Sequence, residues 1–129
     1  MQKGQIILIL LLISTAALLQ GCVAVVVGAG AAGTVAYVRG DLESVEPKDI
    51  NTVYQATLKA MEQLELNVSN KTKDSLSAEI VARDSQDKKV TVKLGATAEG
   101  ATKLSIRIGI FGSETKSRLI YEQIKKNLK

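Results

Sequence analysis

The sequence predicts an α+β domain of two layers, in which two helices cover one face of an antiparallel sheet of four to five strands. Three observations predict this fold. Apolar and polar residues alternate along most of residues 76–110, which is the period of strands with one buried face. Apolar residues recur at helical spacing over residues 48–64 and again over 113–128. The predicted order is β-α-β-β-β-α, and helices with one apolar stripe are buried against a sheet.

The N-terminus has the layout of a secretory signal. Lys3 is followed by an apolar run and then by small residues before Cys22, the only cysteine of the chain. The stretch Leu19-Gln20-Gly21-Cys22 resembles the lipobox of bacterial lipoproteins. This resemblance implies that the chain is cut before Cys22, that the thiol carries a diacylglyceryl group, and that the new amine bears a fatty acid such as palmitate. The protein would then be held at a membrane by its N-terminal lipid.

Two alternatives compete with lipidation. Residues 4–38 carry no charged side chain, so a membrane span fits by length. The second alternative is ordinary secretion, in which the chain is cleaved in the alanine-rich stretch beyond Cys22. The motif and its position favour a lipoprotein organised as a signal peptide (1–21), a lipidated apolar glycine-rich tether (22–34) and a small α+β domain (35–129).

The glycine-rich tether contains a G-x-G-x-x-G pattern at Gly28, Gly30 and Gly33. A dinucleotide-binding turn needs a helix after this pattern and an acidic residue about 20 positions on, within a βαβ unit. The stretch that follows alternates and has no helix signal, so nucleotide binding is disfavoured. We interpret the glycines as a source of backbone freedom. Close helix packing in a bilayer remains a second interpretation, because small residues recur four positions apart.

The first half of the domain holds one strand and one helix. Loose alternation predicts a strand over residues 35–45, which Pro47 ends. A helix is predicted over 48–64, with Asp49 at its positive end. Its apolar stripe consists of Ile50, Val53, Tyr54, Thr57, Leu58, Ala60, Met61 and Leu64.

The second half holds the other strands and the last helix. Strands are predicted to start at Leu66 and to follow around 76–83, 90–94 and 104–110. Ser113 is the predicted N-cap of the last helix. Exposed ion pairs are expected between Glu114 and Arg118 and between Glu122 and Lys126. The apolar stripe of this helix is Ser117, Ile120, Tyr121, Ile124 and Leu128, and Leu119 falls outside it.

The layout as a whole resembles a family of small bacterial envelope lipoproteins that carry a domain of unknown function. The resemblance rests on the segments LLQGC, VVVGAGAAG, TVAYVRGDLE and LSIRIGIFGSE, of which AYVRGDLE and IRIGIFGSE are the most specific. It implies a location and a fold and transfers no catalytic residue. Val23 follows the cysteine where an aspartate would resemble an inner-membrane retention signal, so the resemblance implies the outer membrane, with the domain in the periplasm.

Residue types limit the chemistry. The chain has no histidine and its single thiol is assigned to lipid, so an enzyme would have to use carboxylates, lysine or tyrosine. Asp41, Glu43 and Glu46 form the one acidic cluster, and Asp41 and Glu43 would share a strand face. A solvated edge is the favoured interpretation, because a calcium site usually needs six or more oxygen ligands. We expect no catalytic residue, no metal and no cofactor.

The uncovered sheet face is expected to carry basic side chains. Arg83, Lys93 and Arg107, with Lys103 beside them, could contact an anionic lipid or a small anionic ligand. An ordinary mixed surface is the alternative, because 13 acidic residues offset most of the 17 basic ones. Nucleic acid is not expected outside the cell. The favoured function is a non-enzymatic accessory or interaction module that binds another envelope protein, with strand addition at a sheet edge as one mode.

Overall fold

The computed structural model describes residues 2–9 and 35–129. The chain divides into two units, residues 1–31 and 32–129. Residues 2–9 are helical, and the large side chains of Ile6, Ile7, Leu8 and Ile9 are exposed. Within the described residues, no helix is both long enough and apolar enough to cross a membrane. The predicted lipobox (19–22) and tether (22–34) lie outside the described residues.

Six antiparallel strands and two helices make up residues 35–129. In chain order they are β1 (Val35–Val38), β2 (Asp41–Glu46), α1 (Ile50–Gln63), β3 (Asn67–Lys73), β4 (Ser77–Arg83), β5 (Lys89–Ala96), β6 (Thr102–Ile108) and α2 (Glu114–Asn127). The strands lie side by side as β1-β2-β6-β5-β4-β3. The α+β class is confirmed, whereas the number and order of the strands differ from the prediction.

The extra strand comes from a hairpin where one strand was predicted. Arg39 and Gly40 form a two-residue turn between β1 and β2, with φ values of 53° and 91°. Tight hairpins favour positive φ at both turn residues, because the backbone twist then matches that of the strands. The usual sequence signal is Asn-Gly or Asp-Gly, and an arginine in the first place hid this turn within the predicted strand 35–45.

The last strand is shorter than predicted. β6 ends at Ile108, and Gly109, with φ of 67°, turns the chain away from the sheet. Ile110, predicted as an inward strand residue, is therefore 81% exposed. The predicted strand after Leu66 is confirmed as β3, which pairs with β4 and has an irregularity between Val68 and Asn70.

Both helices begin close to the predicted positions. The Asp49 carboxylate caps α1 by accepting a hydrogen bond of 3.1 Å from the Thr52 amide. Ser113 occupies the N-cap position of α2, but its hydroxyl makes no capping hydrogen bond. The Glu114–Arg118 ion pair is confirmed at 2.8 Å. No pair within 4.0 Å joins Glu122 to Lys126 in the described part of the chain.

The core lies between the two helices and one face of the sheet. Every second residue of β2, β4, β5 and β6 faces it, and the alternation predicted which residues these are in β4, β5 and β6. Fully burying one aliphatic side chain of this size contributes about 1.5–3 kcal/mol. The largest fully buried apolar residues of this core are Leu42, Met61, Ile80, Leu104, Ile106 and Ile124.

Candidate functional site

The open face is the sheet surface that α1 and α2 leave uncovered, formed by the odd-numbered residues of β2, β4, β5 and β6. Arg83, Lys93 and Arg107, the predicted anion contacts, all lie on it. Each has a carboxylate partner: Arg83 lies 3.6 Å from Asp87, Lys93 4.0 Å from Glu79, and Arg107 3.2 Å from Asp41. The open face is therefore a surface of mixed charge, on which Arg83, Lys93 and Arg107 are each paired with a carboxylate.

One part of the open face forms an open depression of about 370 Å³. Lys93 and Arg107 line it and Arg83 does not, so the structure brings together two of the three predicted residues. Lys89 lines it as well, and in the described part of the chain no carboxylate lies within 4.0 Å of its ammonium. The alternation of β5 could have identified Lys89, because it lies four residues before Lys93 on the same side of the strand.

Arg107 joins two loops through hydrogen bonds. Its guanidinium donates hydrogen bonds to the carbonyl oxygen of Arg39 at 3.1 Å and to that of Ile110 at 2.6 Å. The same group pairs with Asp41. The β1–β2 turn is thereby fastened to the loop that follows β6. These contacts make Arg107 a residue that positions backbone, which its place on the open face alone did not predict.

Two glycines allow these loops to touch. Gly40 and Gly112 have φ values of 91° and 81°, where a side chain is disfavoured. A Cβ atom on Gly112 would lie 2.6 Å from the Cα of Gly40, and one on Gly40 would lie 2.8 Å from the carbonyl oxygen of Phe111. Only glycine permits so close an approach at both places. The segments AYVRGDLE and IRIGIFGSE, far apart in sequence, therefore meet in space.

The joined loops display apolar side chains. We call the β1–β2 turn (38–40) and the loop 109–113 together the loop end. Phe111 is 90% exposed, Ile110 81% and Val38 50%. Single exposed apolar residues are common, but several on one pair of fixed loops mark a candidate contact surface. The flanking glycines of Gly-Ile-Phe-Gly were the available sequence signal for it.

The predicted acidic cluster is divided between the two faces of the sheet. Asp41 and Glu43 share the open face as predicted, and Glu43 lies 3.9 Å from Lys103. Glu46 lies on the opposite, helix-covered face and is fully buried. The described residues include no group of three potential metal-ligating side chains.

Glu46 fastens α2 to β2. Its carboxylate accepts hydrogen bonds from Ser44 at 2.9 Å, from the Tyr121 hydroxyl at 3.0 Å and from the Lys125 ammonium at 3.0 Å. Burial raises the pKa of Tyr121 to about 12, and the hydrogen bond to Glu46 adds to this effect. With its hydrogen bonds made and no exposed surface, this carboxylate holds two elements together.

A small apolar cleft lies beside the start of α2, with a volume of about 270 Å³. Leu119, the residue outside the predicted stripe, lines it and is 58% exposed. At its rim the Lys116 ammonium bonds to Asp84 at 2.8 Å. That hydrogen bond, with the amides of Lys88 and Gln86, lowers the pKa of Asp84 to about 2. The cleft is smaller than most small-molecule sites, which occupy about 300–1,000 Å³.

Comparison with known proteins identifies a family. No curated protein matches the sequence of this chain. A sequence profile for a family described as a protein of unknown function, DUF3568, matches residues 5–127. These residues include AYVRGDLE and IRIGIFGSE, the segments that carried the resemblance. The expected membership in a domain of unknown function is thereby confirmed, and the chain belongs to the DUF3568 family.

Proposed function

We propose that this protein is a bacterial lipoprotein, anchored to the outer membrane through fatty acids on Cys22, and that its periplasmic domain is a non-enzymatic interaction module. The observation that carries the interaction role is the loop end, where Arg107 and two glycines fix a backbone that exposes Ile110 and Phe111. A fixed surface binds with little loss of conformational freedom. The lipobox residues Leu19, Gln20 and Gly21 before the only cysteine support the anchor.

The state of the acidic groups supports a role without catalysis. Glu46 is fully buried beneath α2, and its carboxylate accepts hydrogen bonds from the surrounding side chains. Asp41 is paired with Arg107, and Asp84 is hydrogen-bonded to Lys116, which favours its ionised form. A general acid or base works best with a pKa near the ambient pH and with access to substrate. The contacts of these carboxylates stabilise the fold.

Strand addition is the less favoured mode of contact. β3, at one edge of the sheet, carries an irregularity near Val68 and two lysines, Lys71 and Lys73. Bulges and edge lysines are devices by which natural sheets resist pairing with another chain. β1, at the other edge, has only four residues. The loop end therefore offers a better contact surface than either edge.

The anchor is tested by mass spectrometry of the protein isolated from its native membranes. The mature chain is expected to begin at Cys22 and to carry a diacylglyceryl group and an amide-linked fatty acid. Two or more acyl chains give stable attachment, since each buried CH₂ contributes about 0.8 kcal/mol. Cys22→Ser should abolish lipid attachment. A mature chain that begins elsewhere, or that carries no lipid, would refute this part of the proposal.

The interaction role is tested with photo-crosslinking side chains in living cells. A probe at Phe111 should capture a defined envelope component, because this side chain is 90% exposed on the loop end. The matched control is Leu76, 70% exposed in the turn between β3 and β4, at the opposite end of the sheet. Equal products from both positions would show that the loop end is not a specific contact surface.

A second candidate is binding of an anionic lipid or a small anion at the depression of the open face. The observation that favours it is Lys89, which joins Lys93 and Arg107 around one hollow. In the acyl-free domain (residues 35–129), Lys89→Gln with Lys93→Gln should weaken binding to phosphatidylglycerol vesicles by roughly fivefold for each charge, at about 1 kcal/mol per lysine. Arg107 is left intact because it holds the loops. Unchanged binding would reject this candidate.

A further inference from the structure

We propose that the loop end inserts into the surface of the bilayer, with Ile110 and Phe111 passing between the lipid headgroups. The inference rests on the proposed anchor and deepens it by naming the partner as a lipid surface. It assigns to the domain a second membrane contact besides the N-terminal fatty acids. Three observations support it: the exposed apolar side chains, the point where the chain enters the sheet, and the neighbouring charges.

The first observation is the form of the exposed surface. Phe111 and Ile110 follow each other at the tip of a loop, and their exposed fractions are 90% and 81%. Burial of apolar area is favourable in proportion to the area removed from water. Because Arg107 bonds to the Ile110 carbonyl and Gly112 packs against Gly40, the tip is already ordered. Insertion therefore costs little backbone entropy.

The second observation is where the chain enters the sheet. Val35 pairs with Ser44, and β1 runs from there towards the loop end, where Val38 pairs with Asp41. Three residues of strand span about 10 Å. By covalent geometry alone, residues 22–34 can span no more than about 45 Å. A lipid on Cys22 therefore keeps the loop end at high effective concentration near the bilayer, whereas a protein partner would have to diffuse to it.

The third observation is charge. Arg39, in the β1–β2 turn, is exposed. The Gly109 amide donates a hydrogen bond of 2.8 Å to the backbone carbonyl oxygen of Lys89, so a second basic residue is adjacent to the loop after β6. Basic side chains beside apolar ones suit an anionic bilayer surface. The opposite end of the sheet differs, because Leu76 is the one exposed large apolar side chain that the structure describes there, and Asp74 and Lys73 lie close by in the chain. Hydrogen bonds from Leu76 and Ser77 lower the pKa of Asp74, which keeps that carboxylate ionised.

The experiment uses a tryptophan as a reporter, because the chain has no tryptophan of its own. Full-length protein carrying Phe111→Trp is acylated in a bacterial host, purified and placed in vesicles of phosphatidylethanolamine and phosphatidylglycerol with brominated acyl chains. Leu76→Trp is the matched control, since Leu76 is also exposed but lies at the far end of the sheet. We expect the Phe111→Trp emission to shift to shorter wavelength and to be quenched by bromine, and the Leu76→Trp emission to stay that of a water-exposed indole.

The outcomes separate the two proposals. Protein without acyl groups, or protein that does not bind the vesicles, would refute the anchor. Bound, acylated protein in which Phe111→Trp is quenched no more than Leu76→Trp would overturn the inserted loop. Capture of a protein by a Phe111 crosslinker in cells, without quenching in protein-free vesicles, would also overturn it. Adding Ile110→Ser to the Phe111→Trp variant should reduce the quenching, and an unchanged far-ultraviolet circular dichroism spectrum controls for folding.

Discussion

At the scale of single residues, Arg107 shows how a charged side chain can position backbone while lying on a surface that suggests ligand binding. Its donors reach two carbonyl oxygens and the Asp41 carboxylate. Both carbonyls belong to the loop end, so the geometry of that surface depends on a residue outside it. Hydrogen bonds that involve a charged group are stronger than neutral ones, and the planar guanidinium suits several acceptors at once.

Replacing Arg107 should loosen the loop end. Arg107→Gln is expected to lower the free energy of unfolding by about 1–2 kcal/mol, because two charge-assisted hydrogen bonds are lost at a site that is partly screened by water. Amide hydrogen exchange should quicken at residues 39–40 and 109–112. The control is Lys103→Gln, which breaks an exposed pair of 3.9 Å and should cost less than about 0.5 kcal/mol. Equal losses in both variants would contradict the role given to Arg107.

Among the glycines that the structure describes, Gly112 is the one least able to accept a side chain. Gly112→Ala places a Cβ against the backbone of Gly40 at a positive φ, and should lower the free energy of unfolding by about 2 kcal/mol or more. Chemical denaturation measures the loss. Gly100→Ala shares the positive φ, but a Cβ there meets nothing within 4 Å, so it isolates the backbone strain. If both variants lose the same stability, close packing at Gly112 is not the cause.

The ionisation of Asp84 should depend on one lysine. The pKa of Asp84 is about 2, against an ordinary value of 3.8, with the Lys116 hydrogen bond as the largest cause. The native state gains stability from this depressed pKa above about pH 4 and loses it as the pH falls towards 2. In Lys116→Met, carboxyl titration by NMR should show a higher pKa for Asp84 and an unchanged one for Asp74. An unchanged value for Asp84 would show that the amides of Gln86 and Lys88 suffice.

At the scale of secondary-structure elements, α2 is held to the sheet by both apolar and polar contacts. Ile120 and Ile124 are buried against the core, while Tyr121 and Lys125 bond to Glu46 of β2. A buried carboxylate left without partners is costly, and here every bond comes from an element that the core already positions. The polar contacts thus fix the register of α2 along β2.

Tyr121 should make the stability of this contact depend on pH in the alkaline range. Its folded-state pKa of about 12 exceeds the ordinary value of 10.0, so the folded state retains a proton that the unfolded state loses between pH 10 and 12. Tyr121 therefore makes its full contribution to the free energy of unfolding below pH 10. Above pH 10 this free energy falls by up to about 1.4 kcal/mol per pH unit. Denaturation of wild type and Tyr121→Phe across this range should differ in slope. Parallel curves would contradict the raised pKa.

The elements also show what sequence periodicity can predict. The stripes of α1 and α2 and the inward residues of β4 and β5 were predictable because burial repeats with a fixed period along each. The β1–β2 turn was not, since Arg39 adopts a positive φ that the sequence gives no reason to expect. The end of β6 was misplaced because Ile110 continues the alternation although the chain has already left the sheet at Gly109.

At the scale of the whole molecule, the candidate site depends on a pairing of two strands that the periodicity of apolar residues in the sequence does not reveal. β2 lies next to β6, which places Asp41 beside Arg107 although 65 residues separate them. The charged residues of the open face could be identified one by one from the alternation, but their partners could not. The segments AYVRGDLE and IRIGIFGSE meet at this pairing, where the second strand of the sheet lies beside the last.

The second unit should fold without the first. All the buried core residues that the structure describes belong to residues 35–129, so a fragment with these bounds should unfold in one cooperative transition, with a free energy of about 5–10 kcal/mol. Urea denaturation followed by circular dichroism measures this. A fragment of residues 47–129 lacks β1 and β2, uncovers the edge of β6 and removes Glu46, and it should not fold. Loss of cooperativity in the longer fragment would mean that the N-terminal unit is needed.

The place of β1 at the sheet edge determines how the domain responds to mechanical load. Tension applied through the chain before residue 35 reaches β1 first, and β1 is paired with β2 alone. Such a pull peels an edge strand one ladder position after another, which needs little force. At Gly40 the peeling meets the guanidinium of Arg107 and the backbone of the facing loop, where several contacts must rupture at once. Drag on a tethered molecule would therefore separate the four residues of β1 from β2 and would then be resisted at the contacts of Arg107, with the helices and the remaining strands still folded.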